Sequence, residues 1–175
     1  VGKKKKPETV KRPSLVIEEE RARRFDAYLA VVLVNIDGLS IVNEMIGKEA
    51  GDFLVSEIGS VIRNNIRKID IMGRWPPDDF IILTVDRNAF GGIALAQKVR
   101  EIVASTSFRY KDKEVRATIS VGVAIARPQS ADALDELIET AKRALVKAKA
   151  SGRNRVEVLS PASSSLPATL NHPES

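Results

Sequence analysis

Apolar positions along the chain fall into two periods. Residues 29–36 (LAVVLVNI) form a near-continuous apolar run, as expected of a central strand covered on both faces. Residues 115–126 alternate and then become continuously apolar (ISVGVAIA), which predicts a second central strand. Two shorter runs, 69–72 and 80–85, flank Arg74-Trp75-Pro76-Pro77-Asp78-Asp79 and read as the arms of a hairpin. Residues 108–110 are β-like, and 155–159 form a last short strand. Between these runs the period changes to that of a helix. Phe53, Leu54, Ile58, Val61, Ile62 and Ile66 mark a helix over 48–66; Leu134, Leu137, Ile138, Ala141, Leu145 and Ala148 mark one over 130–150. A short helix over 39–46 stops at Gly47, and another spans 88–103 with Asn88 as its cap. A first helix is expected from Ser14, with Glu18, Glu19 and Glu20 ahead of Arg21, Arg23 and Arg24 in the order the helix dipole favours. This element order gives an α/β domain: a mixed sheet with an antiparallel hairpin, ferredoxin-like or palm-like in its core, flanked by helices.

Charge changes the picture less than its total implies. The chain of 175 residues carries a formal net charge of +5. Lys3, Lys4, Lys5, Lys6, Lys11 and Arg12 against Glu8 account for all of it, so the remainder is neutral and a nucleic-acid-binding face is not expected. Residues 1–13 read as a basic linker, 14–159 as the folded domain and 160–175 as a disordered Ser/Pro-rich tail. Val1 points to a fragment of a longer protein with an upstream domain. There is no cysteine, which excludes a disulfide framework and thiol catalysis and fits a cytoplasmic setting. No apolar run is long enough for a membrane span.

Candidate chemistry gathers at the hairpin. Asp78 and Asp79 at its tip suit a metal or phosphate site, whereas Pro76 and Pro77 remove two backbone donors from the same place. Arg67 and Asp70, taken alone, form an i,i+3 surface ion pair. Asn43 reads as a turn or cap residue, Asp52 as a helix-start charge, and Lys149 and Arg153 as cations near a helix end.

Together these residues resemble a known family. Residues 35–52 (NIDGLSIVNEMIGKEAGD) are similar to the first motif of GGDEF domains, the diguanylate cyclase family, usually near D-x-D-x-F-K-x-x-N-D-x-x-G-H-x-x-G-D. RWPPDDF stands where that family has R-x-G-G-D/E-E-F, and Arg67-Lys68-Ile69-Asp70 falls on its R-x-x-D inhibitory site. Residues 148–155 match the closing A-K-x-x-G-R-N-R, and no gaps are needed between the motifs. The D-x-L-T-G-L-x-N-R-R segment that usually precedes the first strand is missing.

The resemblance implies a domain that joins two GTP molecules into cyclic di-GMP across a facing homodimer, with two Mg²⁺-type ions between carboxylates of the first strand and the hairpin. It places Asn35, Ile36 (by its main-chain carbonyl) and Asp79 at the metal positions, Asn43 and Asp52 at the guanine edge, and Lys149 and Arg153 on the triphosphate. Asn35 replaces an acid, Asp79 is one methylene short of the usual Glu, Ser40 replaces a Lys, and both hairpin glycines are proline. Asp78 and Asp79 are therefore expected to be relict catalytic residues. No cofactor is expected to be required, Mg²⁺ accompanying only residual GTP. The R-x-x-D match implies a cyclic di-GMP receptor or regulatory module through Arg67, Asp70 and Lys98. The alternatives are a weakly active cyclase and a nucleotide-independent protein-interaction domain.

Overall fold

The computed structural model describes residues 8–162. Residues 1–7 and 163–175, with most of the expected linker and tail, lie outside the described residues.

Its elements are α1 (Arg12–Arg24), β1 (Tyr28–Ile36), α2 (Leu39–Met45), α3 (Lys48–Asn64), β2 (Ile71–Trp75), β3 (Asp79–Asp86), α4 (Gly91–Ser105), β4 (Phe108–Tyr110), β5 (Lys113–Val115), β6 (Ile119–Ala126), α5 (Ala133–Ala150) and β7 (Val156–Leu159). Five strands form one sheet in the order β2-β3-β1-β6-β7; β4 and β5 make a separate small hairpin. Neighbours in the large sheet are antiparallel except β6 and β7.

Strand alternation explains the continuous apolar runs. Ala30, Val32, Val34, Phe80, Ile82, Val121 and Val123 face a core closed by α3 and α4. Leu29, Val31, Leu33, Ile81, Leu83 and Ala124 face the opposite core, closed by α1 and α5. With helices on both faces, neither side of β1 or β6 meets water, so the two-residue period is hidden. Gly122 of β6 lets α5 approach closely: a Cβ there would lie 2.8 Å from Leu145 Cα.

Three expectations at helix starts need correction. Helix α1 begins at Arg12, with Pro13 in its first turn, and Ser14 does not cap it. Proline suits that position because its missing N–H has no partner in the first turn anyway. Asn88 does not cap α4; its Oδ1 accepts the Phe90 N–H at 2.9 Å in a turn ahead of the helix. Glu18 and Glu19 are not solvated dipole charges. They are buried with Leu15 and Ala22 on the core-facing stripe of α1.

The segment before α1 is also placed. The Arg74 N–H donates to Glu8 O at 2.9 Å and the Val10 N–H to Arg74 O at 3.1 Å. Residues 8–10 thus lie along the free edge of β2, part of what the sequence marked as linker.

Candidate functional site

The C-terminal end of β1 and the tip of the β2–β3 hairpin meet at one end of the sheet. Asn35 is the register partner of Asp79, so their side chains emerge as neighbours on one face. Asn35 Nδ2 donates to Asp79 Oδ1 at 2.8 Å. An ionised carboxylate only accepts hydrogen bonds, so the amide turns its nitrogen to it. Burial pushes the Asp79 carboxyl above its ordinary value; the Asn35 bond, Lys149 and Arg74 oppose that rise and Asp78 adds to it. Pro76, Pro77 and Asp78 form the three-residue link between the strands, and all three are exposed.

Two adjoining cavities open beside this pair. One, of about 250 Å³, is lined by Asn35, Ile36, Ser40, Asn43, Asp78, Lys149 and Arg153, among others. The other, of about 370 Å³, shares Asn43 and Asp78 and adds Lys48, Asp52 and Arg74. The fold therefore brings together the residues assigned from the sequence to a guanine and triphosphate pocket, although they span positions 43 to 153. Gly38, in the left-handed region at φ 72°, turns the chain from β1 into α2, which carries Asn43. Asn43 in turn lies over Gly51, where a Cβ would come within 2.8 Å of its Cγ.

One functional residue escaped the sequence reading. Asp37 Oδ2 accepts from Thr118 Oγ1 at 2.7 Å and from the Asn154 N–H at 3.0 Å, and its Oδ1 accepts from Ser120 Oγ at 2.6 Å. Arg153 and Asn154 both have positive φ, 62° and 45°. Asp37 holds that unusual turn and keeps Arg153, with Nε at 4.0 Å, at the mouth of the cavity. The signal available in the sequence was its match to the second acid of the D-x-D opening of the first motif.

The donors present fit a divalent cation poorly. Such ions take several hard oxygen ligands, preferably charged. Here the position opposite Asp79 is a neutral amide that presents N–H rather than oxygen. Among the described residues no group of three or more His, Cys, Asp or Glu is placed to hold a metal ion.

The Arg67 turn is built differently from the surface ion pair its spacing suggested. The Asp70 side chain is 1% exposed and the Arg67 side chain 45%. Asp70 accepts from the Arg67 backbone N–H at 2.8 Å and from Arg67 Nε at 3.2 Å, with Arg67 Nη2 at 3.1 Å. Arg67 Nη2 also donates to Thr84 Oγ1 and, at 3.0 Å, to Val85 O. Nη1 lies 3.7 Å from Asp86 Oδ2. Arg67 and Lys98 line a groove of about 390 Å³ with Asn64, Asn65, Thr84 and Asp86, while Asp70 lies beneath it. Lys98 Nζ donates to Asn65 O at 3.3 Å.

Comparison with known proteins agrees with this geometry. The family model described as "Diguanylate cyclase, GGDEF domain" matches residues 12–155. Diguanylate cyclase A of Treponema denticola is 30% identical over 128 residues, covering 73% of this chain and 34% of that protein. The bifunctional diguanylate cyclase/cyclic di-GMP phosphodiesterase MucR of Pseudomonas aeruginosa is 33% identical over 135 residues, covering 77% of this chain and 19% of its own. The chain thus spans about a third or less of the length of these curated relatives. The crystallised GGDEF domain of DgcB from Caulobacter crescentus, in complex with c-di-GMP, superposes with a TM-score of 0.77 at 21% identity, over 83% of this chain and 86% of that one. That likeness shows the same fold.

Proposed function

The chain belongs to the GGDEF domain family of diguanylate cyclases, and from that premise we propose that this member binds guanine nucleotides without joining them and acts as a cyclic di-GMP receptor. The observation that carries the first half is the 2.8 Å hydrogen bond from Asn35 to Asp79. Joining two GTP molecules requires cations that neutralise the triphosphates and activate the attacking 3′-hydroxyl. In this chain two of the three residues at the expected metal positions are bonded to each other, Asn35 donating its amide N–H to Asp79. Pro76 and Pro77 add rings, and remove backbone donors, where a nucleotide would lie against the hairpin.

The receptor half rests on the groove beside Arg67 and Lys98. A guanine presents O6 and N7 as acceptors, one of which suits the outer donor of Arg67, and the phosphates of a cyclic dinucleotide suit Lys98. Burial of Asp70 changes its assigned role. It orients Arg67 from below and does not itself meet the guanine. Nη1, turned toward Asp86, is the donor we assign to the ligand. Titration calorimetry with cyclic di-GMP tests this: binding at tens of micromolar or tighter, weakened by Lys98→Ala, is expected. No heat at those concentrations overturns it.

A second reading is favoured by a separate observation. Asn43, Asp52, Lys149 and Arg153 still converge on two adjoining cavities. The cleft accordingly retains GTP as a ligand, and GTP titrated into the same sample tests for it.

A further inference from the structure

We propose that the cleft binds its nucleotide without a metal ion, Asn35 replacing the cation that would hold Asp79 and side-chain cations of the cavity walls replacing those that would neutralise the phosphates. This rests on the reading that the cleft retains GTP.

The first part follows from the register. Asn35 and Asp79 are directly paired on adjacent strands, and an acid at position 35 would set two carboxylates face to face. Two like charges at hydrogen-bond distance need a shared proton or a cation between them. The amide removes the need: its N–H satisfies Asp79 Oδ1 at 2.8 Å. The pair is complete as it stands.

The second part follows from the charges around the cavities. Lys149 and Arg153 line one, and Lys48 and Arg74 line the other, against the carboxylates of Asp52 and Asp78. Lys149 and Arg74 also act on Asp79, and Arg153 pairs with Asp37, so the four cations are matched by four acids in the absence of ligand. The Asp37-anchored turn places the Arg153 backbone beside the cavity, and its exposed side chain lies within 4.0 Å of Asp37. The four cations are lysines and arginines, which form charge-assisted bonds to phosphate oxygens directly.

The experiment is equilibrium binding of GTP to the full chain, once in EDTA and once in excess Mg²⁺, alongside thermal melts with and without Mg²⁺ or Mn²⁺. The expected result is a GTP affinity that changes by less than about threefold between the two conditions. Lys149→Ala should weaken binding equally in both. The wild-type melting temperature should not respond to either ion, whereas Asn35→Asp should melt lower in EDTA and recover with Mn²⁺. Asp79→Asn, which keeps the shape of the pair, should bind GTP in EDTA at least as well as wild type. An affinity that rises about tenfold or more with Mg²⁺ overturns metal independence and leaves the GTP reading standing. No GTP binding in either condition overturns both.

Discussion

Replacing Arg67 with alanine should damage the fold before it reports on any ligand. The Asp70 carboxylate is 1% exposed and receives the Arg67 guanidinium at 3.1–3.2 Å. After truncation its remaining contact to that residue is the backbone N–H at 2.8 Å. Removing one partner from a buried ion pair costs roughly 3–5 kcal/mol, because an uncompensated charge is left behind. The outer half of Arg67 is solvated, which places the loss at the low end, about 3 kcal/mol. Arg67 also ties Thr84 and Val85 of β3 to the turn before β2, so that junction loosens as well. For a domain of this size each kcal/mol moves the melting temperature by about 2–4 °C, giving a drop of about 6–12 °C. The assay is a thermal melt followed by circular dichroism, repeated for Asp70→Asn and the double variant. Neutralising Asp70 should restore part of the loss, with a coupling of about 1–2 kcal/mol. An Arg67→Ala melt within 2 °C of wild type, or strictly additive variants, would refute the buried-pair reasoning. The consequence for binding studies is practical: Lys98→Ala separates ligand contact from stability, and Arg67→Ala does not.

Other predictions follow from particular residues. Burial raises the Glu18 carboxyl, Arg21 opposes the rise and Asp70 adds to it. A raised folded value means that the neutral acid suits the fold, with stability present at low pH and lost as pH rises through that value. Glu18→Gln should therefore melt higher than wild type at neutral pH, with the gain shrinking as pH falls toward the unfolded value near ~4.3; a constant gain across pH argues against it. Gly122→Ala forces a methyl against the α5 backbone and should cost about 3 kcal/mol or more in urea denaturation, since Leu145 Cα at 2.8 Å is not the end of a flexible side chain. The combined variant Asn35→Asp, Pro76→Gly, Pro77→Gly and Asp79→Glu should form cyclic di-GMP from GTP and Mg²⁺, read by chromatography; a silent variant places the defect elsewhere, with Ser40 next to examine.

Much of the fold could be read from period alone, since the strand and helix runs differ in kind and length. The β2–β3 hairpin was legible as two apolar arms about a short polar link, although β2 runs over Ile71–Trp75 rather than 69–72. What could not be read depended on tertiary context. Pro13 marked the end of a linker in sequence terms, yet it opens α1, because a proline is as acceptable in a first helical turn as in a loop. Glu18 and Glu19 carry the composition of a solvated face, and only the seat of α1 against the sheet shows that they point inward. Asp70 is similar: its spacing from Arg67 is that of a surface pair, and its burial comes from the turn folding beneath β3. The cleft residues were legible through motif resemblance, which ranks positions by the ligand they touch. Asp37 acts on Thr118, Ser120 and Asn154 instead, distant partners that local spacing does not reveal.

Whether the domain binds nucleotide without joining it is most directly tested by incubating the chain with GTP and either Mg²⁺ or Mn²⁺ and separating the products by chromatography. Recovery of GTP unchanged, from a sample that calorimetry shows to bind cyclic di-GMP, is the expected result. Cyclic di-GMP accumulating above a protein-free control would contradict it, and would mean that the Asn35–Asp79 bond yields to a metal ion when two nucleotides are present.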